Sequence, residues 1–220
     1  MATVATGVPS QYPLALNTPL DRAYLRPLQE PLYDTEEIPI AAPPTQFTFF
    51  QRPISQNTAA NLLGAKTEAE TNINQSSMLD YPREFSILGF NVALDSTTGF
   101  RATAAIYRRA WFQFTFSGRR PYLQIPLNRI PAGLGLQGVS VINNSGIATN
   151  GMGHVANYYK FNLGRAALKI KPGEAFNARI TYPTALIAAD INTNYLGVAP
   201  VTPASYTVQV FIVGLSWSPL

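Results

Sequence analysis

Few side chains in this sequence of 220 residues are equipped for chemistry. There is no cysteine and a single histidine, His154, set between Gly153 and Val155 in a glycine-rich stretch. Thiolate nucleophiles, disulfides and Cys/His zinc sites therefore lack their ligands. A Ser-His-Asp triad would have to be built on His154, and no Gly-x-Ser-x-Gly elbow accompanies it. The run Gly133-Leu134-Gly135-Leu136-Gln137-Gly138 matches Gly-x-Gly-x-x-Gly in form. It follows Ile130-Pro131-Ala132 instead of a parallel strand, and no acid follows it until Glu174, so it reads as a turn and not as a dinucleotide fingerprint. Carboxylate pairs of the kind that hydrolyse glycosides would draw on Glu68 and Glu70, Asp80 and Glu84, Asp95, Glu174 or Asp190, none of which sits in a recognisable motif. Asp190-Ile191-Asn192-Thr193-Asn194 offers oxygens to calcium but lacks the closing glutamate of an EF-hand loop. Asn74-Gln75-Ser76 and Asn143-Asn144-Ser145 are glycosylation sequons only in a secretory setting. The expectation is no catalytic residue, no metal site and no cofactor.

Charge is more informative than catalysis. Charged residues make up 13% of the chain, about half the usual share, against 46% hydrophobic residues and a net charge of +4. So little charge is unusual for a free monomer and suits a subunit whose surface is covered. The charge is also unevenly placed. Residues 1–46 carry Arg22 and Arg26 against Asp21, Glu30, Asp34, Glu36 and Glu37, a net −3, which leaves +7 in residues 47–220. Between Asp95 and Glu174 there is no acid but there are ten bases: Arg101, Arg108, Arg109, Arg119, Arg120, Arg129, Lys160, Arg165, Lys169 and Lys171. Three readings stand side by side: scattered surface charge balanced by acids nearby in space, an acidic arm pairing with a basic face on the next copy, or a basic face toward packaged nucleic acid or anionic lipid.

The elements that would position these residues are strands. Nine of the 18 prolines lie in residues 1–53, a density that blocks helices and central strands. Apolar residues nevertheless recur through that segment, so residues 1–46 read as an extended arm lying on a surface, either its own domain or a neighbouring subunit. Tyr12, Leu14, Tyr24, Leu25, Leu32 and Tyr33 are its expected anchors. Residues 47–220 then form one domain. Phe47–Gln51, Phe85–Leu94, Ala105–Phe116, Tyr122–Leu127, Asn157–Leu163, Ala166–Ile170, Ala175–Tyr182 and Tyr206–Trp217 read as strands, with a shift of phase near Gly89 that suggests a bulge. Phe112, Phe114 and Phe116 share one face, and core packing accounts for them and for Trp111 better than base stacking does. Asn57–Ala69 reads as irregular, and Gln137–His154 and Ala185–Ala204 as long loops. About eight strands with Gly/Pro turns and no alternating helices predict an all-β fold, an eight-stranded antiparallel jelly-roll sandwich carrying an extended Pro-rich arm. The N-terminus lacks the basic and apolar regions of a signal peptide, and no apolar run reaches spanning length, so a soluble or particle-borne protein is expected.

A resemblance follows from several of these stretches: Thr71-Asn72-Ile73-Asn74, Leu79-Asp80-Tyr81-Pro82-Arg83-Glu84-Phe85-Ser86-Ile87, Phe112-Gln113-Phe114-Thr115-Phe116-Ser117-Gly118, Tyr122-Leu123-Gln124-Ile125-Pro126-Leu127, and Ile170-Lys171-Pro172-Gly173-Glu174-Ala175-Phe176. In pattern, from about Phe47 to Leu220, the chain resembles the single jelly-roll capsid proteins of tailless icosahedral bacteriophages. The resemblance implies a non-catalytic shell subunit of a virion assembled in the host cytoplasm. Its partners would be copies of itself and other capsid proteins, with weak contact to packaged nucleic acid or an internal membrane. A rival of a different class is a carbohydrate-binding or adhesive β-sandwich module, a vertex spike or fibre tip, presenting Tyr158, Tyr159, Tyr195 and Trp217. A cupin-like enzyme would need a histidine cluster that one histidine cannot supply.

Overall fold

Period-two alternation of apolar and polar residues builds the fold. In Trp111–Phe116 the side chains of Phe112 and Phe114 are fully buried, while Trp111 on the other face is exposed. In Phe176–Thr181 the buried set is Phe176, Ala178 and Ile180. A computed structural model describes residues 25–28, 30–62, 64–94, 105–117, 121–130, 136–142, 145–150, 158–160, 168–184, 186 and 205–219. Its strands are β1 (Leu25–Leu28), β2 (Leu32–Pro39), β3 (Gln46–Phe49), β4 (Glu84–Leu94), β5 (Trp111–Phe116), β6 (Leu123–Pro126), β7 (Leu136–Ile142), β8 (Ser145–Asn150), β9 (Tyr159–Lys160), β10 (Leu168–Ile170), β11 (Phe176–Thr181) and β12 (Ser205–Pro219).

Every pairing among them is antiparallel. Sheet A is centred on β12 and β4, and sheet B has the order β3-β11-β5-β6. On one edge of β12, β2 pairs with Ser205–Ile212 and β1 with Ser216–Pro219, while β4 pairs along the other edge. On the far side of β4, β10 pairs with Phe85–Ile87 and β9 with Gly89–Phe90. Short strands laid end to end thus raise the described count above the eight expected, although each sheet is only four strands wide. The protein is all-β, with the two antiparallel sheets packed face to face. Phe90 of sheet A meets Phe112 and Phe114 of sheet B at centroid distances of 5.4 and 5.0 Å. Each such fully buried ring contributes about 1.5–3 kcal/mol through removal from water.

The phase shift expected near Gly89 is present. Val213 pairs with Gly89 and Gly214 with Ile87, so Leu88 is the extra residue of a bulge that moves the inward set from Phe85 and Ile87 to Phe90, Val92 and Leu94. Glycine is required beside it: a Cβ at Gly89 would lie 2.2 Å from both Tyr158 Cδ2 and the Tyr159 carbonyl oxygen.

Three expectations change. The strand expected over Ala105–Phe116 begins only at Trp111, because residues 105–108 make a helical turn that buries Ile106 against the core. The loop expected over Gln137–His154 contains the hairpin β7–β8, in which Val139, Val141 and Ile142 pair with Ala148, Gly146 and Ser145. Their β-branched side chains favour a strand despite the surrounding Gly, Asn and Ser. Most importantly, the first strands of sheet A come from within residues 1–46, ahead of the expected domain boundary. Leu32 and Ile38 share the inward face of β2 and join the core together with Ile40 just beyond it, so this strand belongs to its own domain.

Candidate functional site

The acids of β2 are buried, and the structure shows why they are tolerated. Asp34 and Glu36 lie on the same inward-facing register as Leu32 and Ile38, and Lys66 enters from the segment that follows β3 to meet them. Lys66 Nζ donates to Asp34 Oδ1 at 2.7 Å and to Glu36 Oε1 at 2.9 Å, and all three side chains are essentially inaccessible. Arg52 Nη1 adds a 3.2 Å bond to Glu36 Oε1, and Ala59 N–H donates to Glu36 Oε2 at 2.9 Å. The second Asp34 oxygen accepts the Phe50 N–H at 2.5 Å. Phe50 has φ of 67°, left-handed and costly for a bulky residue, and this bond helps to hold it there with its ring 5.4 Å from Phe176. Burial pushes the Asp34 carboxyl up to about 6, against the opposing pull of Lys66 and the Phe50 N–H.

On the opposite register of β2, Glu37 accepts from Thr58 Oγ1, from Leu62 N–H at 3.1 Å and from Ser205 Oγ at 3.0 Å. Thr35 Oγ1 donates to the Glu70 carbonyl at 2.8 Å, and Tyr33 OH to the Glu68 carbonyl at 2.5 Å. Each oxygen of Asp34, Glu36 and Glu37 thus has a donor. The cluster works as a clamp that fastens the segment after β3 around β2. A half-open cavity of about 230 Å³ lies nearby, lined by Thr35, Ala69, Glu70, Ala93, Leu94, Thr207 and Gln209. Its size is below the range of about 300–1,000 Å³ usual for ligand pockets.

The outer face of sheet B has a different character. Its middle row aligns Thr48, Arg179, Gln113 and Gln124, as paired across β3, β11, β5 and β6. The next row aligns Gln46, Thr181, Trp111 and Pro126, and Asn177 stands beside Thr115 in the row beyond. No aspartate or glutamate occurs in any of these four strands, and Arg179 is their one charged residue. Trp111 is 40% exposed. Asn177 Oδ1, Arg179 Nε and Thr181 Oγ1, three successive outward positions of one strand, are buried without a hydrogen-bond partner. Unmet polar groups of this kind are uncommon in native structures and call for an explanation.

The residues singled out from sequence fall in several places. Tyr12, Leu14 and Tyr24 lie outside the described residues, and Leu25 is a backbone position of β1 opposite Pro219. Leu32 is fully buried in its own core, and the ring of Tyr33 sits 6.0 Å from Phe211 of its own sheet, so both anchor β2 within the chain. Arg108 and Arg109 are exposed at the helical turn and Arg129 at the 3₁₀ turn after β6, whereas Arg101, Arg119 and Arg120 lie outside the described residues. Among the described residues, the ion pairs of the arm's acids are made elsewhere. Glu30 meets Arg83 at 3.1 Å, and Asp34 and Glu36 meet Lys66 and Arg52, so these partners lie in the same chain and outside the ten bases. Of the aromatics assigned to a binding rim, Trp217 is buried with its Nε1 donating to Ser86 Oγ at 3.2 Å, Tyr158 and Tyr159 are half-buried, and Tyr195 lies outside the described residues. His154 and Asp190 also lie outside them. Among the described residues no three His, Cys, Asp or Glu side chains are grouped to hold a metal, and no helix is long and apolar enough to cross a membrane.

Neither Lys66 nor the sheet B face was singled out from sequence. The signal for Lys66 was faint: Leu32 and Ile38 bracket two acids on one strand face, which demands a buried cation from elsewhere. The signal for the face was plainer. Gln113 and Thr115, alternating with Phe112, Phe114 and Phe116, marked an outward surface free of carboxylates. No family model matches this chain, and neither a curated protein nor a solved structure is significantly similar to it.

Proposed function

We propose that this chain is a structural subunit of an icosahedral viral shell, built on a single jelly roll of the kind found in the capsids of tailless bacteriophages. The observation that carries the reading is the order of the strands. Let β2, β3, β4, β5, β6, the β9/β10 pair, β11 and β12 be lettered B to I along the chain. Sheet A then reads B-I-D-G and sheet B reads C-H-E-F. Such an order supports a jelly roll, in which an antiparallel hairpin of strand pairs wraps around a sandwich. The charge-poor composition, with 13% charged residues, supports a subunit whose surface is covered by copies of itself and other capsid proteins. In this reading the protein resides in the virion and performs no catalytic step. Exposed Arg108, Arg109 and Arg129 supply weak contact with packaged nucleic acid or an internal membrane.

Many identical weak contacts sum to a stable shell through multivalency. Negative-stain microscopy of the purified full chain, with light scattering across a concentration series, tests the proposal. Closed particles, sheets or ring-shaped capsomers are expected. A monodisperse monomer at all concentrations and salt conditions would remove the shell reading.

A further inference from the structure

We propose that the outer face of sheet B is a binding site for an acidic saccharide, with a sugar ring seated on Trp111 and its acid group paired with Arg179. The argument starts from what the face lacks. A face made to meet another protein through apolar burial would present several large apolar side chains, whereas on this one, among the described residues, Trp111 and, just ahead of β6, Tyr122 are the exposed examples. Beside it stand the amides Gln113 and Gln124 and the hydroxyl of Thr181, with Asn177 further along β11. Pyranose rings offer an apolar C–H face for an indole and a ring of hydroxyls that amides can both donate to and accept from.

Arg179 decides the charge of the occupant. It stands at the centre of four strands without a carboxylate, and no ion pair to it exists among the described residues. Guanidinium favours a planar carboxylate, which it can hold with two parallel hydrogen bonds. The dimensions agree. Trp111 pairs with Thr181, and Arg179 lies two residues along the same strand, which makes Trp111 and Arg179 diagonal neighbours about 7–8 Å apart. Three strand gaps of about 4.8 Å make a face about 14 Å across, room for two or three pyranose units. One cation is too few for a nucleic-acid backbone, whose binding depends on several neutralised phosphates.

The test uses the full chain and three probes: oligogalacturonate, neutral galacto-oligosaccharide of the same length, and oligo(dT). Binding is followed by calorimetry and by tryptophan fluorescence. Oligogalacturonate is expected to bind and to change the Trp111 emission, with the neutral sugar at least tenfold weaker. Arg179→Gln is expected to abolish that preference, and Trp111→Ala to weaken both sugars at least tenfold. Urea midpoints equal to wild type for both variants would show that the fold is intact. Should Trp111→Ala unfold, Arg179→Gln alone still decides the matter. The proposal is overturned if oligogalacturonate does not bind, if it binds no better than the neutral sugar, if Arg179→Gln binds it like wild type, or if oligo(dT) competes for the face more tightly than the uronate.

Discussion

Replacing Lys66 with methionine keeps the unbranched stem and removes only the ammonium, so it isolates the charge that balances Asp34 and Glu36. The size of the effect can be worked from their partners. Asp34 titrates near 6, so at pH 7 its ionised form is favoured by about one unit, or about 1.4 kcal/mol. Without Lys66 the carboxyl can take up a proton, and that limits the Asp34 share of the penalty to about 1.4 kcal/mol. Glu36 keeps Arg52 and the Ala59 N–H but loses its 2.9 Å bond from Lys66. A hydrogen bond to a charged group contributes about 1.5–3 kcal/mol. The expected loss at pH 7 is therefore about 3–4 kcal/mol, in line with removing one partner of a buried pair. At pH 5 Asp34 is mostly protonated in both proteins, its share disappears, and the penalty falls by about 1 kcal/mol. Urea unfolding at the two pH values, followed through the buried Trp217, measures both numbers. A penalty below about 1 kcal/mol at pH 7, or one that is as large at pH 5 as at pH 7, would refute this account of the clamp.

Other expectations follow from the same geometry. Asp34 holds its proton more tightly folded, near 6, than at its ordinary value of 3.8, so its contribution to stability grows as pH falls through 6 and is lost as pH rises through it. Between pH 7 and pH 5 this adds about 1 kcal/mol, and Asp34→Asn should remove that increment from the difference between urea unfolding curves measured at the two values. Gly89→Ala would place a methyl 2.2 Å from the Tyr159 carbonyl oxygen, and Gly214→Ala one 2.1 Å from that of Ser86. Each should cost about 3 kcal/mol in thermal or urea unfolding, because a backbone carbonyl cannot swing aside as a side chain can.

The parts of this fold legible in the sequence were those where one local rule acted alone. Phe112, Phe114 and Phe116 alternate with polar residues, and their strand lies where the alternation put it, with Phe112 and Phe114 buried. The change of phase around Gly89 announced a bulge because a strand's period of two leaves no other way to turn Phe90 and Val92 inward. Illegible parts were those where distant residues decide. In β2, Pro31 and Pro39 together with Asp34, Glu36 and Glu37 look like an exposed arm until Lys66, 30 or more residues away, supplies the missing charge. Proline fits there because both stand at the margins of an edge strand, where a missing N–H costs little. Trp111 was grouped with its phenylalanine neighbours, yet its odd position puts it on the outer face.

The clamp also bears on how copies of this chain could meet. An edge strand such as β2 offers unpaired N–H and C=O groups that another chain could extend. Here they are engaged from within. Tyr33 N–H donates to Asn72 Oδ1 at 2.9 Å, Asn72 N–H to the Tyr33 carbonyl at 3.3 Å, and Asn72 Nδ2 to the Pro31 carbonyl at 2.8 Å, while Thr71 bridges to Asp34. Asn72 thus imitates part of a neighbouring strand, and its segment is held in place six residues earlier by Lys66. Strand addition at this edge is closed as long as the buried charges stay paired. Any association of copies would then have to use other surfaces of the sandwich. The buried ion pairs gain a purpose in this light. Hydrophobic residues at positions 34, 36 and 66 could hold the segment as firmly, but paired charges penalise any arrangement in which the segment is displaced and a carboxylate is left alone.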